Sequence, residues 1–234
     1  MPKTAIFAAA ALCLSGAAVS AASVSPVSYS MQNGETGSYT YWDDSYNAPG
    51  APTTTSKAFL SGGVGDLTDG VIATQNWNST PGPYVGWVSI SPRISFFFGQ
   101  VWDFTSVTFH FDDSNGTGGV RTPQKVEVND SFLSYVTDPG GSAPIAHTIN
   151  LASVAPTNTL VFDIFAQNSS WIMLSEVTFD AAPVPIPASG LLLLGALGGF
   201  AATATSTDEY TPRPDQGNPS LLQVTLALGR SSMV

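Results

Sequence analysis

The chain has 234 residues, 43% hydrophobic and only 10% charged, with 22 glycines, 17 prolines and a formal net charge of -10. Few charges, much Gly, Pro, Ser and Thr, and a steady supply of Val, Phe and Tyr argue against a helical bundle or a disordered chain and favour one all-β domain with tails. Only Lys57, Arg93, Arg121 and Lys125 are basic between Ala22 and Ala182, so no patch exists to neutralise a run of phosphates, and no nucleic acid partner is expected.

The first 21 residues read as a signal peptide. Lys3 gives a short positive start, Ala5 to Ala18 an apolar stretch, and Val19-Ser20-Ala21 a small-residue cleavage pattern, so the mature chain is expected to begin near Ala22. The alternative is a buried helix or an uncleaved anchor. Cys13, the only cysteine, falls inside this segment, which leaves the exported domain without thiol, disulfide or thiolate metal site.

Residues 22–182 form the body. Tyr29, Tyr39, Tyr41 and Trp42 lie among Ser, Thr and Gly in expected strand fragments, and residues 47–57, with two prolines and three successive threonines, read as a loop. Then come Asp66-Leu67-Thr68-Asp69-Gly70, Trp77, and Tyr84-Val85-Gly86-Trp87. From Ile94 to Asp113 the period is two: Ile94, Phe96 and Phe98 alternate with Ser95 and Phe97, Gly99 interrupts, and Val107, Phe109 and Phe111 alternate with polar residues, which predicts two strands. Val126 and Val128, Leu160, Phe162 and Ile164, and Val177 and Phe179 continue the alternation. No stretch sustains a helical period, so an all-β sandwich follows, with Phe96, Phe109, Phe162 and Phe179 as its expected aromatic centre.

The order of these pieces, from the Thr68-Asp69-Gly70 turn through Trp77 and the Ile94 to Gly99 strand to the closing Ser175-Glu176-Val177-Thr178-Phe179, resembles the discoidin or coagulation-factor type C branch of the galactose-binding-like superfamily. That resemblance implies a jelly-roll β-sandwich that binds glycans through loops at one end, beside a structural calcium. Asp69 and Glu176 match the two places where the superfamily holds its calcium; the plainer reading is a turn cap and a surface acid.

Recognisable catalytic chemistry is missing from the sequence. Neither His110 nor His147 lies in a nucleophile elbow or an H-E-x-x-H helix, and no enzyme is expected. The acid pairs Asp43/Asp44 and Asp112/Asp113 at strand ends read as solvated turn residues rather than a general acid and base. The run from Asp112 to Gly119 would suit a hard cation but departs from the EF-hand pattern. Sugar sites join an aromatic plane to hydrogen-bonding groups. On that basis the candidate ligand-binding residues are Trp42 with Asp43, Trp77 with Asn78, Tyr84, and Asp113, Asn115 and Arg121 around the glycine-rich loop, whereas Trp87 and Trp171 read as core.

The C-terminal region carries a second apolar stretch. Val184-Pro185-Ile186-Pro187-Ala188 precedes SGLLLLGALGGFAATA, a run near the lower limit of about 17 residues for crossing a bilayer. Residues 183–204 resemble the PEP-CTERM sorting signals of exported bacterial proteins, in the V-P-L-P-A variant, with Val184, Pro185, Pro187 and Ala188 as the motif. The resemblance implies recognition by an exosortase-like membrane protease. The family's closing arginine cluster is absent: Thr205-Ser206-Thr207-Asp208-Glu209 stands there, opening an atypical polar tail over residues 205–234.

The resulting expectation is an exported surface or extracellular-matrix protein whose non-catalytic jelly-roll sandwich binds a glycan or exopolysaccharide. The alternative is a purely structural envelope or biofilm protein without a ligand pocket; a glycoside-hydrolase accessory domain is a third. The first two differ in whether Trp77 and Tyr84 are exposed together at one end of the sandwich.

Overall fold

The computed structural model describes residues 20–184; the segment expected as a signal peptide, up to residue 19, and the expected sorting segment and tail from residue 185 onward lie outside the described residues. Ten strands follow one another: β1 (Ala22–Val24), β2 (Ser28–Gln32), β3 (Phe59–Gly63), β4 (Val85–Trp87), β5 (Arg93–Phe111), β6 (Lys125–Val128), β7 (Phe132–Tyr135), β8 (Ile145–Asn150), β9 (Thr157–Phe165) and β10 (Ile172–Pro183). All their pairings are antiparallel.

The stretch predicted as two strands is one. β5 runs unbroken for 19 residues, and Gly99 does not end it. Instead its register with β9 shifts between Phe97 and Trp102, and there the strand passes from one layer to the other. Its first half pairs with β2 and β9, and its second half with β8 and β10. A break in alternation marked by glycine is equally consistent with a strand end and with a bend inside a strand, because both require the ladder to be interrupted.

One layer therefore reads β3-β2-β5-β9-β6-β7, and the other β8-β5-β10, with β1 and β4 on the far side of β10. The core rings show that these layers face each other. Phe96, in the first half of β5, packs 4.9 Å from Phe179 of β10, and Phe109, in the second half, packs 5.1 Å from Phe162 of β9. Each half of the strand thus buries its aromatic residue against the other half's neighbour. Beyond β5 the chain alternates between layers, with β6 and β7 in one, β8 in the other, β9 in the first and β10 in the second, which is the winding of a jelly roll. The expected all-β sandwich and its aromatic centre are both present, with Phe96, Phe109, Phe162 and Phe179 fully buried.

β10 departs from simple alternation: Ile172 through Val177 are all buried. Its outer face is covered by the strap that follows the Asp66–Thr68 turn, tied down by the Gly70 N–H donating to Glu176 Oε2 (3.1 Å) and the Ala73 N–H donating to Ser175 Oγ (3.2 Å). A second, smaller cluster of Tyr41, Ala73, Trp77, Tyr84, Val120 and Met173, with Trp171 against it, packs apart from the main core.

Phe179 meets the rings of Phe96, Phe98, Phe104 and Phe162, so Phe179→Ala would open a cavity between the layers. Urea unfolding should show a loss of about 3–5 kcal/mol. A loss below about 1 kcal/mol would mean that the layers are not held together here.

Candidate functional site

The candidate residues separate into three groups. Trp42 and Asp43 belong to the first. Asp43 was expected at a solvated turn with a ligand-binding role, but it is fully buried. Its carboxylate accepts a short hydrogen bond from the Tyr29 hydroxyl and another from the Asp66 N–H at 2.9 Å, while its own N–H donates to Asn33 Oδ1 at 2.8 Å. Asp43 is thus a clasp tying the loop after β2 to the segment after β3. Burial in so apolar a place pushes its carboxyl up to about 7. Trp42 is half-buried, and its indole N–H donates to Ser56 Oγ at 3.1 Å. Asp43 therefore serves the fold, while Trp42 keeps part of its surface open.

Asp69 and Glu176 form the second group. The strap over β10 brings them to one cleft of about 280 Å³, lined also by Thr68, Gly70 and the Ser23–Pro26 segment. Glu176 is 4% exposed, and burial raises its carboxyl to about 7, with Asp69 beside it adding to the effect. Asp69 Oδ1 accepts the Val71 N–H at 2.8 Å. The Thr68 hydroxyl is buried without a partner. Two carboxylates, an unpaired hydroxyl and turn carbonyls are a donor set for a hard, oxygen-seeking cation. Among the described residues no group of three or more His, Cys, Asp or Glu is suited to a metal, so neutral oxygens would have to complete this set. The residues fit calcium on those terms.

The third group lies at the small aromatic cluster. Trp77 and Tyr84 are not exposed together: Trp77 is 8% exposed and Tyr84 1%. The Tyr84 hydroxyl is spent on the Gln75 carbonyl at 2.8 Å, and the Trp77 backbone N–H donates to Asp112 Oδ2 at 2.5 Å, while the Trp77 indole N–H is buried without a partner. Both were expected as exposed sugar contacts; both are buried, with Trp77 lining a niche at this end. Asn78, next to Trp77, is exposed.

Asp112 and Asp113, expected as solvated, are buried. Asp112 is engaged by Trp77 and by the Ser114 hydroxyl at 2.7 Å, whereas Asp113 accepts only the Asn115 N–H at 3.2 Å and leaves Oδ2 without a partner. Burial raises the Asp113 carboxyl, and nearby Arg121 acts against that rise. The loop that follows them requires its glycines. Gly116 (φ +89°) lets the Arg121 guanidinium lie against the backbone, and Gly118 (φ +62°) approaches the Trp77 ring so closely that a Cβ there would collide with it.

What reaches solvent at this end is Tyr39. Its ring is 46% exposed and packs edge-on to Tyr41 and Trp77, with centroids 6.2 and 6.3 Å away. Beneath it a niche of about 30 Å³ is lined by Gly37, Ser38, Tyr41, Trp77, Gly118 and Trp171. Tyr39 was not among the candidate residues. Its sequence setting among Gly37, Ser38 and Thr40 carries no signal of this, since Tyr41 two residues on is buried.

Neither a protein-family model nor a curated protein sequence matches the chain. Among solved structures, a fucose-binding module of Streptococcus pneumoniae is similar at TM-score 0.34 and 13% identity over 47% of this chain and 77% of that one. The family 32 carbohydrate-binding module of C. perfringens NanJ, solved with galactose, gives TM-score 0.28 and 9% identity over 42% and 75%. The corresponding module of AlyQ, solved with 4,5-unsaturated mannuronic acid, gives 0.29 and 14% over 49% and 82%. Likenesses at these TM-scores carry no inference, and the function has to be read from this chain's own residues.

Asp43 makes stability depend on pH. Its folded value near 7 lies above the ordinary carboxylate value of 3.8, so the folded state holds the extra proton between the two, and stability falls as pH rises through that window. Burial lowers His110 and His147, which pull the other way by smaller shifts. Glu176, also raised to about 7, acts in the same sense as Asp43. The melting temperature should therefore drop between about pH 4.5 and pH 7.5, and Asp43→Asn, which keeps an acceptor but not the charge, should flatten part of that slope, with Glu176→Gln flattening a further part. A melting temperature that climbs over this range would contradict the assignment.

Proposed function

We propose that the chain is a non-catalytic carbohydrate-binding β-sandwich that takes a glycan at the end where Tyr39 stands. The observation that carries this reading is the exposed Tyr39 ring, held upright by buried Tyr41 and Trp77 beside the loop that bears Asn115 and Arg121. Sugars present apolar C–H faces ringed by hydroxyls, and this end offers an aromatic plane with amide and guanidinium groups nearby.

A calcium ion held by Asp69 and Glu176 is part of the proposal. The buried carboxyl of Glu176 and the orphaned Thr68 hydroxyl support it, and the ion's role is to fix the strap that also carries Trp77. On a glycan array the full chain should bind a limited set of sugars, Tyr39→Ala and Arg121→Ala should lose that signal, and calcium should raise the melting temperature of the parent but not of Glu176→Gln. At about a hundred times its dissociation constant the ion should stabilise by about 2.7 kcal/mol. An array without binding, or one unchanged by Tyr39→Ala, would favour the purely structural envelope protein instead.

The proposal extends to routing: export by the N-terminal segment, transient anchoring by the C-terminal apolar run, and presentation of Val184, Pro185, Pro187 and Ala188 to an exosortase-like protease. Its support is the sequence alone. Because Asp208 and Glu209 stand where a basic cluster is expected, retention should be poor, and replacing Thr205 to Asp208 by four arginines should increase membrane retention and cleavage near Pro187 in a host with the protease. Equal cleavage of parent and variant on a blot of fractionated cells would dispose of that account.

A further inference from the structure

The six-stranded layer carries a second feature, built from the loops before β5 and β6 and after β7 and β9 and continuing onto the outer face of β5, β2 and β3. Three depressions of about 360, 330 and 340 Å³ adjoin there, and each lies at the small end of the range for ligand sites, about 300–1,000 Å³. The first, by Tyr135, Gln167 and Asn168, shares Gln124 with the second. The second, by Ser89 and Ser169, shares Ser91 with the third, which ends at Ser30, Ser95 and Phe59. Together they form one track from β7 across β6, β9, β5 and β2 to β3. Five interstrand steps make it about 24 Å long.

The chemistry along the track is uniform. Hydroxyls and side-chain amides dominate, and the charges present are already engaged. Arg93 is held by Asp163 and Asp130 at 2.5 and 2.7 Å, and Lys125 Nζ lies 4.6 Å over the Phe165 ring. An exposed aromatic ring stands at each end, Tyr135 at 66% exposure on β7 and Phe59 at 64% on β3. Ser89, Asn168 and Ser169, all at the middle and one end, hold left-handed backbone (φ 61°, 46° and 58°), a conformation that non-glycine residues seldom adopt without a structural demand. The floor is firm, because the Gln124 N–H donates to the Phe165 carbonyl at 2.7 Å and its own carbonyl accepts the Val136 N–H at 3.1 Å.

We infer that this track binds a linear, uncharged polysaccharide lying across the strands, with one sugar stacked on Tyr135, another on Phe59, and the units between them hydrogen-bonded to Gln124, Ser91 and Ser95. A charged polymer is disfavoured because Arg93 and Lys125 are committed and the protein carries a strong negative charge. None of the track's lining residues belongs to the Tyr39 niche, so this site does not depend on the glycan assigned there.

Affinity electrophoresis of the full chain through gels containing galactomannan, xyloglucan or a soluble β-1,3-glucan, with polygalacturonate as the charged comparison, tests the inference. At least one neutral polymer should retard the protein more than polygalacturonate does, and Tyr135→Ala and Phe59→Ala should each weaken that retardation about tenfold. Both rings are exposed, so their loss should leave the melting temperature nearly unchanged. Tyr39→Ala should retain the retardation. Absence of retardation in all three neutral gels, greater retardation by polygalacturonate, or neutral binding that survives the Tyr135/Phe59 double variant would overturn the track. Neutral binding lost in Tyr39→Ala but kept in the double variant would overturn it while leaving the Tyr39 site standing.

Discussion

The structure depends on the sharing of β5 between two layers. A sandwich is ordinarily two sheets held by side chains alone, whereas here Arg93–Phe111 lends its first half to one sheet and its second half to the other. The ring pairs Phe96 with Phe179 and Phe109 with Phe162 then close the space between the halves. Burial of four large aromatic residues at this crossing holds the layers together without a disulfide, each contributing on the order of 2–3 kcal/mol by removal from water. β10 gains its place from the same arrangement, because it pairs along most of the second half of β5 and presents Glu176 outward to the strap.

The polar groups buried around this core are organised as ties between loops. Asp43, with Tyr29 and Asp66, joins segments far apart in sequence, and Asp112 joins the strap to the end of β5 through the Trp77 N–H. A buried carboxylate tolerates its loss of hydration only when several donors converge on it, and Asp43 and Asp112 meet that condition. Asp113 does not, for its Oδ2 has no partner. The glycine-rich loop after Asp113 is held instead by its own backbone, the Gly116 N–H donating to the Val120 carbonyl at 2.8 Å and the Trp171 N–H to the Gly119 carbonyl at 2.9 Å, and by the fit of Gly116 to Arg121 and of Gly118 to Trp77.

Alternation made most of the core legible in the sequence. Phe96, Phe109, Phe162 and Phe179 could be assigned because a period of two in a half-buried strand is a local property, and the same holds for Val126, Val128 and Ile164. The continuity of β5 was not legible, since Gly99 looks the same at the end of a strand and at a bend within it. Burial of Asp43, Asp112 and Asp113 was equally hidden. Neighbouring acids in a Gly- and Ser-rich stretch look solvated until the tertiary structure supplies donors such as Tyr29 and the Trp77 N–H. The meeting of Asp69 with Glu176 followed from the resemblance of the turn and the closing strand. By contrast, Tyr39 and the Tyr135-to-Phe59 track depend on which residues the folding brings to one surface, and spacing along the chain holds no trace of that.

The shared strand also determines how the molecule carries load. β1 and β10 run antiparallel with Ala22 opposite Ala181, so the two ends of the domain leave from one corner. A tug on the segment beyond Pro183 enters along β10 and passes into its ladder with β5, which runs from Pro183 opposite Trp102 to Leu174 opposite Phe111. From the second half of β5 the force continues through covalent backbone into the first half, and so into the opposite layer, without relying on side-chain contacts to cross the sandwich. Mechanically, the two faces behave as one belt with a single buckle.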